Sequence, residues 1–148
     1  MRGIHREVTY RHPPERVWRA LTDPKVLESW LMPNDIAPRV GHRFTFRTKP
    51  APGFDGIVHC EVLEVDPPRR LVYTWAGGPT KAKPTTVTWT LDRVGDGTRL
   101  TLDHVGFEGI GGYFLQTMLG AGWARKLRRA RDFPAVLDRL ASETSPHA

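Results

Sequence analysis

Residues 86–104 read TVTWTLDRVGDGTRLTLDH, a pattern that predicts a β-hairpin. Apolar and polar side chains alternate on both sides of Gly95-Asp96-Gly97, and a period of two is typical of a strand with one buried face. The two glycines around Asp96 favour a tight turn between antiparallel strands. The side chains expected on the shared buried face are Val87, Trp89, Leu91, Leu100, Leu102 and His104.

Three further strands are predicted upstream, because the same alternation recurs between segments rich in turn residues. The turn at residues 53–56 separates the first two, and the proline-rich turn at residues 65–70 precedes the third. Their inward side chains are Phe44 and Phe46, then Val58, Cys60 and Val62, then Leu71, Tyr73 and Trp75. The segment from His5 to Arg11 predicts an additional first strand, whereas Gly77 to Pro84 predicts a polar loop. The sequence therefore predicts six antiparallel strands.

Helical spacing occurs on both sides of the five consecutive strands. A short helix is expected from Pro13, and Asp23-Pro24 supplies a cap and a first-turn proline for a second short helix that ends before Met32-Pro33. After Gly106 an apolar stripe returns at steps of three or four residues, through Leu115, Leu119, Trp123, Leu127, Ala130, Pro134, Leu137 and Leu140. Pro134 should kink this long helix or end it near Asp132, because proline lacks an N–H. We expect Ser142 to Ala148 to be a frayed tail.

The length of 148 residues fits one domain, residues 1–148. The single cysteine, Cys60, cannot form an internal disulfide, which favours a reducing compartment. No segment is long and apolar enough to be a signal peptide or a membrane span. We therefore expect a soluble, cytoplasmic protein that does not interact with membranes.

The chain is basic, with 22 Lys and Arg against 16 Asp and Glu. Much of the excess lies in the segment from Arg125 to Arg131, where the cations cover one helix face and Leu127 and Ala130 lie on the other. This arrangement is typical of a solvated helix surface. No aromatic stacking motif accompanies the charge, so a nucleic-acid partner is not expected.

A two-layer α+β architecture follows, in which the helices cover one face of a curved antiparallel sheet. Several motifs carry a resemblance to a known family: residues 14–24 with Leu27 and Trp30, residues 64–75, residues 86–89, residues 97–102 with His104, and then 106–107 and 122–123. With these motifs the chain resembles the START-related superfamily (SRPBCC, polyketide cyclase-like), and in particular the branch named after the activator of the heat-shock protein 90 ATPase.

The resemblance implies a helix-grip fold, with the order β-α-α-β-β-β-β-β-α and the sheet wrapped on a long C-terminal helix. It leaves function open, because the superfamily includes ligand carriers, cyclases, resistance proteins and co-chaperone domains. Two segments depart from the usual pattern. Residues from Gly111 to Leu119 are unusually apolar and glycine-rich, and Pro134 interrupts a helix that is normally continuous.

An apolar cavity is expected between the curved sheet and the long helix. The predicted ligand-binding residues are Trp30, Phe44, Phe46, Val58, Cys60, Tyr73, Trp75, Trp89, Leu102, His104, Leu115, Leu119 and Trp123. Each tryptophan in this set is also consistent with simple core packing. His104 has three interpretations: a histidine hydrogen-bonded to the backbone, a ligand contact, or a weak candidate for a catalytic acid/base. Its neighbour Asp103 should point to the opposite face.

Other chemistry is not favoured by the sequence. Adjacent His59 and Cys60 should lie on opposite faces of a strand, so they are a poor metal pair, and Cys60 is expected to be a buried hydrophobe. No hydrolase or phosphate-loop motif occurs. We expect no metal and no cofactor.

Three functional hypotheses follow. The first is noncatalytic binding of a small hydrophobic or aromatic ligand by a monomer or homodimer. The second is a protein-interaction module that uses the basic helix face, Arg125, Arg128, Arg129 and Arg131, against an acidic partner. The third is a cyclase or isomerase with His104 as acid/base and Tyr73 or Trp75 holding the substrate.

Overall fold

The fold is taken from a computed structural model, in which residues 3–52, 54–77 and 83–144 are described. The elements follow the predicted order, except that two helices stand at the C-terminal end. They are β1 (Gly3–Tyr10), α1 (Pro14–Thr22), α2 (Pro24–Trp30), β2 (Arg43–Arg47), β3 (Ile57–Asp66), β4 (Arg70–Trp75), β5 (Thr85–Val94), β6 (Gly97–Val105), α3 (Gly109–Arg128) and α4 (Phe133–Thr144).

The six strands form one antiparallel sheet in the order β1-β6-β5-β4-β3-β2. The predicted hairpin is confirmed, since Val94 pairs with Gly97 and Gly95 has the positive φ of 60° that the turn between them needs. A shift in register between Val62 and Glu64 bends β3 against β4. Most of the predicted loop from Gly77 to Pro84 lies outside the described residues, as does Gly53 of the predicted turn.

The two short helices begin where the sequence places them. Pro13 is the N-cap of α1, and the Asp23 carboxylate caps α2 by accepting a hydrogen bond from the backbone N–H of Lys25 at 3.1 Å. Trp30 ends α2, and its indole N–H donates to the Ala20 carbonyl at 2.9 Å. This bond fixes the angle between α1 and α2 beneath the sheet.

The C-terminal apolar stripe is divided between two helices. Helix α3 ends at Arg128 and α4 begins at Phe133, which puts Pro134 in a first helical turn where its missing N–H needs no partner. The break that Pro134 predicts is therefore confirmed, and Leu137 and Leu140 belong to α4, which packs on α1 and α2. The expected tail is shorter than predicted, because α4 continues to Thr144; residues 145–148 lie outside the described part.

The core lies between the inner face of the sheet and the helices. Every inward side chain predicted for β5 and β6 is buried there, from Val87 to His104. In the described part of the chain, no helix has the length and hydropathy that crossing a membrane would require.

Candidate functional site

A continuous row of aromatic rings fills the centre of the space between sheet and helices. Trp75 contacts Trp123 at a ring-centroid distance of 5.6 Å, Trp123 contacts Trp89 at 5.4 Å, and Trp89 contacts Trp30 at 6.4 Å. Phe133 continues the row beyond Trp30 at 4.7 Å. These contacts are tilted or edge-to-face, the arrangement that aromatic pairs prefer. The centre is therefore packed core rather than open cavity.

A second aromatic group fills the space beneath β2 and β3. Tyr73 is 1% exposed, contacts Phe44 and Phe46 at centroid distances of 5.2 and 6.3 Å, and accepts a hydrogen bond from the Trp89 indole at 3.0 Å. Burial raises the pKa of the Tyr73 hydroxyl, so it stays protonated. Leu102 is fully buried in the same core.

His104 lies at the meeting point of β5, β6 and α3, with no exposed surface. The Trp123 indole N–H donates to its Nδ1 at 3.2 Å, and its Nε2 lies 2.7 Å from the Thr85 hydroxyl. An indole nitrogen can only donate, so Nδ1 carries no proton and Nε2 is the protonated nitrogen. The Thr85 hydroxyl in turn donates to the Trp75 carbonyl at 3.1 Å.

This network determines the charge state of His104. Burial lowers its pKa to about 3, and both ring nitrogens already have partners within the protein. Asp103 lies on the opposite face, where it accepts from His5 at 2.6 Å and raises the pKa of that imidazole. His104 is therefore a neutral, hydrogen-bonded core histidine, held by side chains rather than by the backbone.

Cys60 is buried at 4% exposure, whereas its neighbour His59 is exposed on the other face of β3. Burial raises the pKa of the Cys60 thiol, and the nearby negative charge of Asp35 adds to the effect. A protonated thiol is a poor nucleophile and a poor metal ligand. No group of three potential metal ligands is found among residues 3–52, 54–77 and 83–144.

An apolar cavity of about 220 Å³ opens at one end of the aromatic core, between α3 and the start of β3. We call it the main lobe. It is lined by Met32, Thr48, Phe54, Val58, Trp75, Gly77, Leu115, Met118 and Leu119. Met118 stands at its mouth with 61% of its surface exposed. The lining described for this lobe contains no charged residue.

A second apolar cavity of about 130 Å³, which we call the side lobe, adjoins the main lobe along α3. The two lobes share Met32, Trp75, Met118 and Leu119, and together we call them the groove. The side lobe is completed by Leu31, Gly122, Trp123 and Lys126. The groove therefore runs along one face of α3, whose lining residues recur at steps of three or four.

The structure divides the predicted ligand-binding set into two groups. Val58, Trp75, Leu115, Leu119 and Trp123 line the groove. The others, namely Trp30, Phe44, Phe46, Cys60, Tyr73, Trp89, Leu102 and His104, do not line it and are packed in the core. The cavity is therefore confined to one end of the sheet, because the chain's own rings occupy the rest.

Sequence reasoning missed several groove residues, chiefly Met32, Phe54, Met118 and Lys126. Met32 precedes the segment Pro33-Asn34-Asp35, and Phe54 lies inside the turn at residues 53–56. An apolar side chain has no role in forming either turn. Met118 lies three residues after Leu115 and therefore on the same helix face. An apolar residue in a turn beside a predicted cavity is the signal that could have identified Met32 and Phe54.

A larger depression of about 420 Å³ lies on the outer face of the sheet, over β2, β3 and β4. Its lining is mixed, because Phe44 and Cys60 of the predicted ligand-binding set lie there with Ala76 and Pro84 among charged and polar residues. The charges are partly matched: Arg43 is 3.6 Å from the Glu61 carboxylate, and the Asp35 carboxylate accepts from the Thr45 N–H at 2.9 Å. The depression lies on the opposite side of the sheet from the aromatic core. Its charged residues, Asp35, Arg43, Arg47 and Glu61, suit a hydrophobic ligand less well than the lining of the groove does.

The predicted basic face is helical only in part, because Arg125 and Arg128 lie in the last turn of α3, Arg129 is its C-cap and Arg131 follows in the turn before α4. Ala130, expected on the apolar side, is exposed in that turn. Arg125, Arg128, Arg129 and Arg131 are all exposed. Arg128 also donates to the Glu7 carbonyl of β1 at 3.2 Å, so its guanidinium is partly engaged within the protein.

The curved six-stranded sheet, the long helix packed against it and the apolar groove between them define a helix-grip domain of the START-related superfamily. Residues 11–142 match the family described as Activator of Hsp90 ATPase homolog 1-like protein, and the chain belongs to that family. The resemblance that the sequence motifs suggested is thereby confirmed. No curated protein matches the chain.

Solved structures support the same assignment. Protein MLL2253 from Mesorhizobium loti is 35% identical over 97% of this chain and 99% of its own, with a TM-score of 0.78. CalU16 from Micromonospora echinospora is 26% identical over 97% of this chain and 76% of its own, with a TM-score of 0.67. The Aha1 dimer from Colwellia psychrerythraea shares the fold, with 19% identity over 90% of this chain and 98% of its own and a TM-score of 0.70.

Proposed function

We propose that this protein binds a small, predominantly apolar molecule in the groove, without transforming it. The observation that carries the proposal is the main lobe, a cavity of about 220 Å³ whose described lining is free of charge and includes Trp75. An exposed apolar concavity of this kind is costly in water and is typical of a ligand site.

The state of His104 supports a binding role over a catalytic one. A general base needs a free lone pair within reach of its substrate, and the Trp123 indole already occupies the unprotonated nitrogen. Of the two residues considered for holding a substrate, Trp75 lines the groove, whereas Tyr73 is buried beneath Phe44 and Phe46. The cyclase or isomerase hypothesis therefore receives less support from the geometry.

We also propose that the protein acts in the cytoplasm as a monomer or homodimer. The single cysteine of the sequence, Cys60, is a free thiol, which suits a reducing compartment. The related fold from Colwellia psychrerythraea is described as a dimer, which makes a homodimer a reasonable alternative.

The test uses N-phenyl-naphthylamine, a neutral apolar probe whose fluorescence increases in a dry site. We expect saturable binding, energy transfer from the tryptophans beside the groove, and a rise in melting temperature, because a ligand that binds only the native state stabilises it. If neither this probe nor a panel of neutral aromatic and aliphatic compounds binds or shifts the melting temperature, the proposal is wrong.

Two matched variants locate the binding. Met118→Glu places a charge at the mouth of the groove and should weaken binding about fivefold, because roughly 1 kcal/mol of apolar contact is lost. Val40→Glu introduces the same charge at an equally exposed apolar residue, 63% against 61%, that lies outside the groove lining. Equal effects of the two variants would place the probe elsewhere on the protein.

A second candidate function is favoured by one observation, the four exposed arginines in the last turn of α3 and the segment that follows it. A surface of one sign can steer and bind an acidic protein partner. Pull-down with the wild type and with the double charge reversal R128E/R129E tests this role. A partner retained by the reversed protein would exclude this surface.

A further inference from the structure

The groove contains one charged residue among its described lining, and it lies at the far end of an apolar row. On α3 the lining residues are Leu115, Met118, Leu119, Gly122, Trp123 and Lys126. Their spacing of three or four places all six on one helix face. The first five of these residues carry no charge. Their one polar side-chain group is the Trp123 indole N–H, which already donates to His104.

Lys126 differs from the arginines around it in where it lies. Arg125, Arg128, Arg129 and Arg131 are exposed, whereas the Lys126 side chain is 37% exposed and lines the side lobe. Its ammonium has a single described carboxylate partner within 4 Å, Asp132, at 3.9 Å. The Asp132 side chain is 17% exposed, and the separation is at the outer limit of an ion pair and beyond hydrogen-bond distance, so the ammonium keeps its donors for another acceptor.

An elongated ligand that fills both lobes would therefore meet apolar surface along most of its length and a cation at one end. Steering would favour the same orientation, because Arg125 and Arg129, within three residues of Lys126 along the chain, are exposed and add positive potential at this end of α3. The main lobe, at the other end, has no described charge to attract a polar group.

We infer that the ligand is an amphipathic anion, an apolar ring or chain carrying one carboxylate or similar acidic group that Lys126 binds. This inference rests on the proposed binding function and narrows it from apolar compounds in general to apolar acids. Lys126 thereby acts as the residue that selects acids over neutral compounds of the same shape.

A pair of probes with one skeleton tests the inference. Anilinonaphthalene sulfonate and N-phenyl-naphthylamine share the same ring system, and only the first carries an anionic group. In Lys126→Met, which keeps an unbranched apolar stem, we expect about tenfold weaker binding of the sulfonate, the order lost with one charge-assisted contact. Binding of the neutral probe should change by less than about twofold, since the apolar contacts remain.

Two control variants separate a local contact from the general charge. Lys126→Arg keeps the cation and should retain sulfonate binding. Arg125→Met removes the same unit of charge from the neighbouring, exposed position and should weaken sulfonate binding by less than about twofold at physiological salt, where exposed charges are screened. Anilinonaphthalene sulfonate also binds proteins whose core is loosened. Thermal unfolding of each variant, followed by circular dichroism, should therefore remain cooperative.

The outcomes distinguish the two proposals. If the wild type does not bind the neutral probe and binds the sulfonate in a way that Lys126→Met does not change, the groove is not the site and both proposals are wrong. If the neutral probe binds but Lys126→Met leaves the sulfonate affinity unchanged, or if Arg125→Met weakens it equally, the role of Lys126 is overturned while the apolar binding site stands.

Discussion

Trp123 donates its indole hydrogen to Nδ1 of His104 across 3.2 Å, and this bond connects the wall of the groove to the buried centre of the sheet. It keeps Nδ1 free of a proton, and the Thr85 hydroxyl engages the other nitrogen. Through Thr85 the same imidazole is linked to the carbonyl of Trp75, the other tryptophan of the groove. The orientation of both groove tryptophans thus depends on a histidine that must remain neutral.

Acid should therefore destabilise the protein through His104. Its pKa is about 3 in the folded protein and 6.5 as the reference value for an unfolded chain. As the pH falls from 6.5 towards 3, only the unfolded state takes up the proton. The contribution of neutral His104 to the free energy of unfolding is therefore fully present above this window and is lost as the pH falls through it. Between pH 7 and pH 5 we expect a loss of about 2 kcal/mol in the free energy of unfolding, measured by urea denaturation.

The matched variant for this prediction is His104→Gln. An amide can still accept from Trp123 and donate to Thr85, but it does not titrate. The variant should be less stable than the wild type at pH 7 and should lose much less stability on going to pH 5. An unchanged dependence on pH in His104→Gln would assign the acid sensitivity to other groups. His5, whose pKa is raised by Asp103, is exposed and acts in the opposite direction.

The end of α3 provides a second prediction. The Tyr10 hydroxyl donates to the Leu127 carbonyl at 2.5 Å, in the last turn of the helix, where carbonyls lack partners within the helix. Tyr10→Phe keeps the ring contact with Phe133, at a centroid distance of 5.2 Å, and removes only this bond. We expect a loss of about 1–3 kcal/mol in the free energy of unfolding, because a buried acceptor is left unpaired.

Two measurements make the Tyr10 prediction specific. Denaturant unfolding gives the free energy of unfolding. Relative to the wild type, amide hydrogen exchange in Tyr10→Phe should accelerate more at residues 125–132 than at β5. A Tyr10→Phe protein as stable as the wild type, within about 0.3 kcal/mol, would mean that water or another donor replaces the hydroxyl.

Local chemistry explains why so much of the fold was predictable. The hairpin at Gly95-Asp96, the cap at Asp23 and the break before Pro134 each depend on a residue and its immediate neighbours. The alternation along β5 also determines which side chains are buried, because a strand has only two faces. Element order, buried face and the division of the C-terminal stripe all follow from patterns of this kind.

The groove was predicted only in part, for a reason that lies in tertiary packing. Alternation shows that Trp89 and Trp75 face inward, but not that Trp30 and Trp123 extend from two helices to meet them. Whether an inward ring lines a cavity or closes it depends on these distant partners and on the curvature of the sheet. For this reason Trp75 lines the groove, whereas Trp89, four residues along β5 from Thr85, the register partner of Trp75, is enclosed by rings and hydrogen-bonded to Tyr73.

A third prediction concerns two glycines of the same hairpin. A Cβ added to Gly97 would lie 2.2 Å from the Tyr10 carbonyl oxygen, a backbone atom that cannot move away without disturbing β1. A Cβ on Gly95 would meet nothing within 4 Å, although the positive φ of 60° is strained for alanine. We expect Gly97→Ala to cost several kcal/mol and Gly95→Ala about 1 kcal/mol in thermal or urea unfolding. Equal costs would contradict the close approach of β1 to the hairpin.

The last prediction concerns Gly122, which lies in the interior of α3 and lines the side lobe. A Cβ at this position would meet nothing within 4 Å, so Gly122→Ala should stabilise the protein by about 0.5–1 kcal/mol, the usual advantage of alanine over glycine within a helix. Gly120→Ala in the same helix is the control. Its Cβ would lie 2.9 Å from the Arg6 guanidinium, so this variant should gain less stability than Gly122→Ala.

A larger substitution at the same position, Gly122→Leu, tests whether the side lobe binds ligand. A leucine side chain would extend into the side lobe, whose volume is about 130 Å³, and occupy the space that we assign to ligand. Binding of anilinonaphthalene sulfonate should fall several-fold while the unfolding temperature stays at or above that of the wild type, because filled space gains apolar contacts. A stable Gly122→Leu protein that binds the sulfonate as tightly as the wild type would exclude the side lobe as part of the site.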